Sequence, residues 1–193
     1  MKPRTNYFMD CEFIDDGRII DLISIGLFCE DGRSLYRIST EFQESRASAW
    51  VKENVIDHLP FPPEPGIVSW PEAFNSSLAY QHGWRSRQAI AEDIELFCSL
   101  GNHRPRFWGY YGASDWVAFY QLWGPLINLP HSFPKHFREL KQWCDDLGNP
   151  TLPEKPKGHH ALEDARWHYK VYKFLRDRQH SNAVGDLGVI LSS

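Results

Sequence analysis

Segment 6–13 places two acids within a run of large apolar residues, and this pairing constrains the fold more than any other feature of the chain. Alternate side chains of a β-strand share a face, so Asp10 and Glu12 would stand side by side. The apolar flanks predict a strand inside a sheet, where unpaired negative charges are costly. Because the segment holds no basic residue, we expect a cation there, and hard divalent ions prefer oxygen-only clusters.

The order of strands and helices predicts the fold class. Two more strands, predicted over 21–30 and 34–40, follow the first after turn signals that favour an antiparallel meander. Helical spacing and capping residues predict helices at 45–59, 86–100, 114–123, 134–148 and 160–178, with a short strand at 106–112. This order is typical of an α/β fold with a mixed central sheet, antiparallel in its first three strands and flanked by helices.

The same pattern indicates the domain organisation. We expect a single domain over 1–178, because the chain is too short for two ordinary ones. A loop insertion at 60–83 contains five prolines and breaks all periodicity. Residues 179–193 are predicted to form a C-terminal tail.

The composition limits the classes of function. A net charge of -4 argues against a protein that coats nucleic acid, so any contact with nucleic acid should be local. No apolar run approaches the roughly 18 residues that span a bilayer, and no signal-peptide core is present. The four cysteines are scattered, which favours reduced thiols. We therefore expect no membrane partner and a soluble protein of the cytoplasm, or of the host cytoplasm if phage-encoded.

Three further residues complete a candidate catalytic set. Asp115 follows Ser114 at the start of a predicted helix, where the helix dipole favours an ionised carboxylate. In "HHALEDA", His159 precedes the last predicted helix and Asp164 lies in its first turns. Each feature is weak alone, since roughly three acid-x-acid pairs are expected by chance in a chain with this acid content. Together they supply four carboxylates and one base, the parts that two-metal phosphodiester hydrolysis requires.

The expected chemistry follows from these parts. One metal ion lowers the pKa of a bound water and the other neutralises the leaving 3' oxygen, with the two ions about 4 Å apart. Histidine can accept the proton of the nucleophile near neutral pH. We assign that role to His159 rather than His160, because His159 ends the loop whereas His160 is expected to be the first helical residue.

These motifs resemble the DEDDh exonuclease superfamily, whose members share a ribonuclease H-like fold. The first motif corresponds to "FMDCEF", the second to the segment around Asp115, and the third, H-x-A-L-x-D-A, to "HHALEDA". The resemblance implies that Asp10, Glu12, Asp115 and Asp164 hold the metal ions and that His159 is the general base.

A narrower resemblance is to the small 3'-exoribonucleases typified by mycobacteria and also found in phages. It rests on "DCEFIDDGRIIDLISIG", "STEF", "WVKENV", "QLWGP" and "REL". It implies RNA with a free 3' end as substrate, two Mg2+ or Mn2+ ions per active site, release of nucleoside 5'-monophosphates, and a homodimer. The proofreading type has Thr-Thr-Gly where this chain has Phe13-Ile14, and the loop at 60–83 is enlarged.

Candidate substrate contacts lie beside the acids and in basic segments. Phe13 and Ile14 adjoin the acidic pair where a terminal base would lie, although a core role for Phe13 is the alternative. Arg85 and His160 are further candidates, and Arg87, Lys155 and Lys157 are available for phosphates. Aromatic side chains near Asp115 are candidates for base stacking, namely Trp108, Tyr110 and Tyr111.

Other functions fit the sequence less well. A serine hydrolase is suggested by "GASDW", but Trp116 stands where a nucleophile elbow needs a small residue. Zinc lacks both paired cysteines and an H-E-x-x-H motif. A 3'-5' DNA exonuclease and a non-catalytic nucleic-acid-binding module remain open alternatives.

Overall fold

The described residues are built around one six-stranded sheet. The structure is a computed structural model that describes residues 3–60, 83–101 and 103–190 of the 193-residue chain. The strands are β1 (Arg4–Asp15), β2 (Ile20–Cys29), β3 (Ser34–Ser39), β4 (Trp84–Arg85), β5 (Arg104–Gly109) and β6 (Arg138–Glu139), in the spatial order β4-β3-β2-β1-β5-β6. β1, β2 and β3 pair antiparallel, and β5 pairs parallel to β1. The predicted mixed sheet with an antiparallel start is confirmed.

In the described residues, five α-helices flank the sheet. They are α1 (Ala49–Asn54), α2 (Arg87–Ser99), α3 (Ala113–Tyr120), α4 (Leu140–Asp146) and α5 (Ala161–Ile190) within the described residues. The side chain of Ser86 caps α2 by accepting from the Ala89 amide, as the sequence predicted. No helix in the described ranges is both long and apolar enough to cross a membrane.

Several predicted element boundaries were wrong. The helix expected over 45–59 is only α1, flanked by the 3-10 turns Glu44–Arg46 and Ile56–His58. The N-cap of α3 is Gly112 and not Ser114. The helix expected from Pro134 is replaced by a loop that packs Phe133 and Phe137 into the core, followed by β6 and α4. Tertiary packing therefore overrode the local pattern there.

The C-terminal segment differs from its prediction. α5 runs to Ile190, so the segment from Gln179 that was predicted as a tail is helical for most of its length. Leu175 is the last buried apolar residue of α5 among the side chains that the structure describes, and the predicted helical stripe also stopped there. The proline-rich loop predicted at 60–83 lies outside the described residues except for its two ends.

Gly26 of β2 allows the start of α5 to lie directly on the sheet. A Cβ atom at Gly26 would be 2.3 Å from the Leu162 nitrogen and 2.4 Å from the Ala161 carbonyl carbon. Gly26 is also the partner of Asp10 in the antiparallel register of β1 and β2. This close approach brings the first turn of α5 next to the acidic pair of β1.

Candidate active site

Three of the predicted acids meet at one place. Asp10 and Glu12 lie on the face of β1 that α5 covers, and Asp164 is buried in the first turn of α5. One carboxylate oxygen from each lies within 4.8 Å of the other two. The sequence predicted this convergence from the strand period and the helix motif, and three buried or half-buried acids so close together form a candidate metal centre.

The electrostatics of the cluster favour a bound cation. Burial, followed by the charge of Asp164, raises the pKa of Glu12 to about 8. Burial and the neighbouring carboxylates, Asp115 first, raise the pKa of Asp10 well above its ordinary value. Each carboxylate thus resists ionisation beside the others, and a nearby positive charge would reverse this effect.

Asp115 lies beside the three-acid cluster. It is 6% exposed in the first turn of α3, and its Oδ1 accepts a 3.0 Å hydrogen bond from the Cys11 amide. β5 pairs with β1 only as far as Phe8, which leaves that amide to be satisfied by another acceptor. Burial raises the pKa of Asp115 to about 7, although the Cys11 bond opposes the rise.

The loop that positions Asp115 is held by Glu139. Its carboxylate accepts hydrogen bonds from the Tyr111 and Gly112 amides, both at 2.9 Å. A Cβ atom at Gly112 would lie 2.9 Å from the Phe137 ring and 3.4 Å from Asp115 Oδ2. A side chain at this position would therefore displace the Phe137 ring, and neither contact is predictable from the sequence.

A lysine supplies a positive charge to the cluster. Lys155, in the loop before α5, places its Nζ 3.1 Å from Asp164 Oδ2. Its charge lowers the pKa of Asp164, while burial raises it more strongly. Lys155 was predicted only as a phosphate contact. Its position beside Asp164 was not predictable because it depends on the path of the loop.

His168 is a site residue that the sequence analysis missed. Its Nε2 lies 3.7 Å from Asp10 Oδ1, and its Nδ1 lies 3.0 Å from the Met9 carbonyl oxygen. That carbonyl only accepts, so Nδ1 carries the proton and Nε2 faces Asp10 as an acceptor. Burial lowers the pKa of His168 to about 3, so the imidazole is neutral. His168 lies four residues after Asp164, and the i,i+4 spacing was the signal that it shares that helical face.

The two candidate base residues lie at the exposed rim of the site. His159 meets the ring of Trp50 edge-on, with ring centroids 4.7 Å apart. His160 stacks on Tyr36 with centroids 4.4 Å apart and planes 24° apart. A positive charge on either imidazole would lower the pKa of Asp164, which places both rings near the acids. The choice of His159 as the base stays a prediction.

Of the predicted substrate contacts, His160 lies near the acids, whereas the other three have structural positions. Phe13 is half-buried and packs against the main core, which favours its structural role. Ile14 is 1% exposed within a core cluster, so its side chain is not available to a substrate. Arg85 lies on β4, three strands from β1, where its Nε is 3.5 Å from Asp93. The sequence could not foresee this because β4 is a two-residue strand.

The aromatic candidates near Asp115 differ in exposure. Trp108 is 7% exposed and donates a 2.8 Å hydrogen bond to Asn6 Oδ1, so it belongs to the core. Tyr110 packs edge-on against Trp167 at 5.0 Å between centroids. Tyr111 is 68% exposed and has a φ of 55°. Tyr111 is therefore the member of this group that a ligand can reach most easily.

Comparison with known proteins identifies the family. No protein-family model matches the chain. The 3'-5' exoribonuclease of Mycobacterium tuberculosis, from strains CDC 1551 and H37Rv, is 42% identical over 171 residues, covering 88% of this chain and 92% of the relative. The chain belongs to this family of 3'-5' exonucleases. The predicted resemblance and the prediction of an exonuclease are confirmed.

Solved structures support the same fold. Exonuclease I from Methylocaldum szegediense aligns with a TM-score of 0.51 at 15% identity, covering 91% of this chain and 41% of that one. Pop2p of S. pombe, in a form with bound Mg2+ and Mn2+, also aligns at 0.51, with 13% identity and coverage of 92% and 84%. The exonuclease therefore has the predicted ribonuclease H-like architecture.

Proposed function

We propose that this exonuclease is a metal-dependent 3'-5' exoribonuclease that hydrolyses single-stranded RNA or 3' overhangs to nucleoside 5'-monophosphates. The observation that carries the proposal is the meeting of Asp10, Glu12 and Asp164 within 4.8 Å. The mycobacterial relatives, which are named 3'-5' exoribonucleases, support RNA as the substrate.

The donor set fits Mg2+ or Mn2+. The three carboxylates are hard oxygen ligands, and the raised pKa values of Asp10 and Glu12 reflect charges that lack sufficient compensation. With Asp115 beside them, four carboxylates can balance two divalent ions. When bound, such ions supply an activated water and neutralise charge at the scissile phosphate.

The protein's own residues orient and move protons around that centre. The Cys11 amide fixes the carboxylate of Asp115, and His168 contacts Asp10 from the buried side. His159, at the exposed rim, is proposed to accept the proton of the attacking water. Lys155 is close enough to the acids to contact a phosphate oxygen once its pairing with Asp164 is relaxed.

Two features support a single-stranded end. Tyr111 is exposed on the segment that leads into α3, and stacking of a base on one aromatic ring contributes roughly 1–3 kcal/mol. The acidic pair lies in the second half of β1, and the exposed His159 and His160 are near enough to Asp164 to influence its pKa. A splayed base can stack on an exposed ring such as that of Tyr111, whereas a base within a duplex cannot stack in this way.

The experiment that tests the proposal uses matched RNA and DNA oligonucleotides, labelled at either end and digested with Mg2+. We expect stepwise shortening of RNA from its 3' end with release of 5'-monophosphates, and none with the Asp10→Ala/Glu12→Ala variant. Cleavage of DNA alone would move the substrate to DNA and keep the mechanism. Retained binding without cleavage of either would support a non-catalytic nucleic-acid-binding module.

The remaining predictions from the sequence concern assembly and location. The homodimer is supported by the family resemblance, and light scattering of the purified chain tests it. A cytoplasmic location, or a host cytoplasm for a phage protein, is likewise a prediction, which fractionation of the source cells tests.

A further inference from the structure

A second charged region lies at the other end of the sheet from the acids. Arg4 of β1 is in register with Arg104 of β5, and two residues further Asn6 is in register with Arg106. Arg138 of β6 is in register with Trp108, so it lies beside this group at the edge of the sheet. We call the surface formed by Arg4, Arg104, Arg106 and Arg138 the basic groove.

The basic groove contains two adjoining cavities. One, of about 590 Å³, lies between the sheet edge, α4 and the later part of α5. The other, of about 160 Å³, is lined by all four arginines and by His131. The cavities share Arg106, His136 and Arg138, which makes them one continuous surface.

The four arginines of the groove lack ion-pair partners in the part of the chain that the structure describes. The Nε–H of Arg106 is buried and has no hydrogen-bond acceptor among those residues. A buried donor without an acceptor is costly, so this guanidinium is suited to receive an anionic ligand.

The arginines also act on one another. Burial, followed by the charges of Arg106 and Arg4, lowers the pKa of Arg138. Two acids line the larger cavity, Glu139 and Asp146, but the Glu139 carboxylate already accepts from three backbone amides. An anion in the groove would relieve the repulsion among the arginines without displacing an existing ion pair.

Aromatic rings accompany the charges. Trp108, Trp143 and Tyr172 line the larger cavity, and the Arg138 guanidinium lies 5.4 Å from the centre of the Trp108 ring. Trp143 and Tyr172 are half-buried, so part of each ring is open. Arginines interleaved with aromatic faces are typical of surfaces that hold single-stranded nucleic acid.

The groove and the acids are on the same face of β1. Every second residue of β1 lies on this face, namely Arg4, Asn6, Phe8, Asp10 and Glu12. Asn6 and Phe8 contact Tyr172 of α5. Six residues separate Arg4 from Asp10, a distance of about 20 Å along a strand. Because α5 covers Asn6 and Phe8 between these two points, a bound strand has to pass around α5. At the 3.4 Å rise of a stacked strand, the path therefore takes at least about six nucleotides.

We propose that the basic groove binds backbone phosphates of the substrate strand upstream of its 3' end, so that long single strands are held at two places. The inference rests on the proposed function. It predicts that the groove contributes to hydrolysis of long RNA and not to that of a dinucleotide, which is too short to reach it.

The experiment compares kcat/KM for a 20-nucleotide RNA and an RNA dinucleotide. The variants are Arg106→Gln/Arg138→Gln and, as a pair of exposed positions, Arg4→Gln/Arg138→Gln. The matched control is Arg18→Gln, an exposed arginine in the turn at the opposite end of β1. Melting temperature and circular dichroism establish that each variant is folded.

We expect both double variants to lower kcat/KM for the 20-nucleotide RNA by about tenfold or more, with the dinucleotide rate unchanged and Arg18→Gln like the wild type. The slope of log kcat/KM against log salt concentration should become shallower by roughly 1.4, because two phosphate contacts are lost. An equal loss on both substrates would overturn the inference, as would no loss on either.

Two further outcomes separate the alternatives. If the wild type hydrolyses neither RNA, the proposed function itself fails. If the wild type and all variants hydrolyse both RNAs at equal rates, the function stands and only the role of the basic groove fails. If inorganic phosphate raises the melting temperature of the wild type but not of Arg106→Gln/Arg138→Gln, while RNA hydrolysis is unchanged, the groove is a site for small anions and the strand is excluded as its ligand.

Discussion

The two ends of one face of β1 carry opposite charges, a cluster of carboxylates at one end and a group of arginines at the other. At one end Asp10 and Glu12 lie beside a third carboxylate from α5, with Lys155 paired to Asp164 and the neutral His168 next to Asp10. At the other end Arg4 belongs to a group of arginines without ion-pair partners in the same part of the chain. Phe8 and Asn6 lie between them under α5.

The difference shows how uncompensated charge indicates a ligand. Neither group stabilises the fold, because like charges brought together raise the free energy of the native state. The acidic group is small and deep, which suits metal ions, whereas the basic group is spread along a groove, which suits a chain of phosphates. A net charge of -4 conceals the second group, since charge at a site depends on position and not on the total.

The largest effect is expected from removing one acid. Asp10→Asn should lower the hydrolysis rate by about 1000-fold, since roughly 4 kcal/mol of transition-state stabilisation depends on the metal centre. Glu163→Gln is the matched control, because Glu163 is exposed one residue from Asp164 and pairs with Arg166. Single-turnover hydrolysis of labelled RNA measures both. Equal rates in the two variants would mean that the acidic end is not the catalytic end.

Loss of the proposed base should have the next largest effect. His159→Ala should lower kcat by about 100-fold or more, as expected for the loss of general base catalysis. His160→Ala should lower it by less than tenfold, because the His160 ring packs on Tyr36. The pH dependence of kcat for the three proteins checks the assignment. A greater loss in His160→Ala would reverse the roles.

The contact between Gly26 and α5 should also be essential. Gly26→Ala would force α5 away from β2, destabilising the protein by about 3 kcal/mol and separating Asp164 from Asp10. In the open turn at Gly32, with a φ of 96°, an alanine meets no atom and should cost about 1 kcal/mol with activity retained. Denaturant unfolding and RNA hydrolysis measure the pair. An active, stable Gly26→Ala would contradict the described packing.

The smallest expected effect is the pH dependence of the protein's stability that arises from Glu12. The pKa of Glu12 rises from its ordinary 4.5 to about 8 on folding, so the folded protein holds a proton that the unfolded chain releases. That stabilisation is present at low pH and is lost as the pH rises from about 4.5 to 8.

Melting temperatures in a chelator should therefore fall between pH 5 and 8, and added Mg2+ should restore them at pH 8. The Glu12→Gln variant should show a weaker pH dependence, whereas Arg106→Gln should keep the dependence of the wild type. A melting temperature that rises over this range would contradict the electrostatic account of the acidic end.

The sequence was sufficient to predict that the acids lie together, but it was not sufficient to predict the basic groove. Asp10 and Glu12 were predictable because strand geometry alone places them together, and Asp164 because it occupies the first turn of a strongly patterned helix. The groove depends on the parallel pairing of β1 with β5 and on β6, a strand of two residues. Such short pairings leave no periodic signal in a sequence.

Individual residues near the acids likewise divide into those whose position follows from local spacing and those whose position depends on the tertiary fold. The i,i+4 spacing of His168 from Asp164 predicts that they share a helical face, whereas Lys155 reaches Asp164 only through the path of a loop. Ile14 and Arg85 were assigned to the substrate from their proximity in sequence or from charge alone. Their placement in the core and at the far edge of the sheet shows that neither is sufficient.

Calorimetric titration of Mn2+ into the metal-free protein tests the central claim most directly, with Asp10→Asn and Arg106→Gln measured beside the wild type. The account predicts that the wild type and Arg106→Gln bind two ions per chain and that Asp10→Asn loses at least one of them. Equal binding of Mn2+ by Asp10→Asn and the wild type would contradict the assignment of the acidic end of β1 as the metal centre.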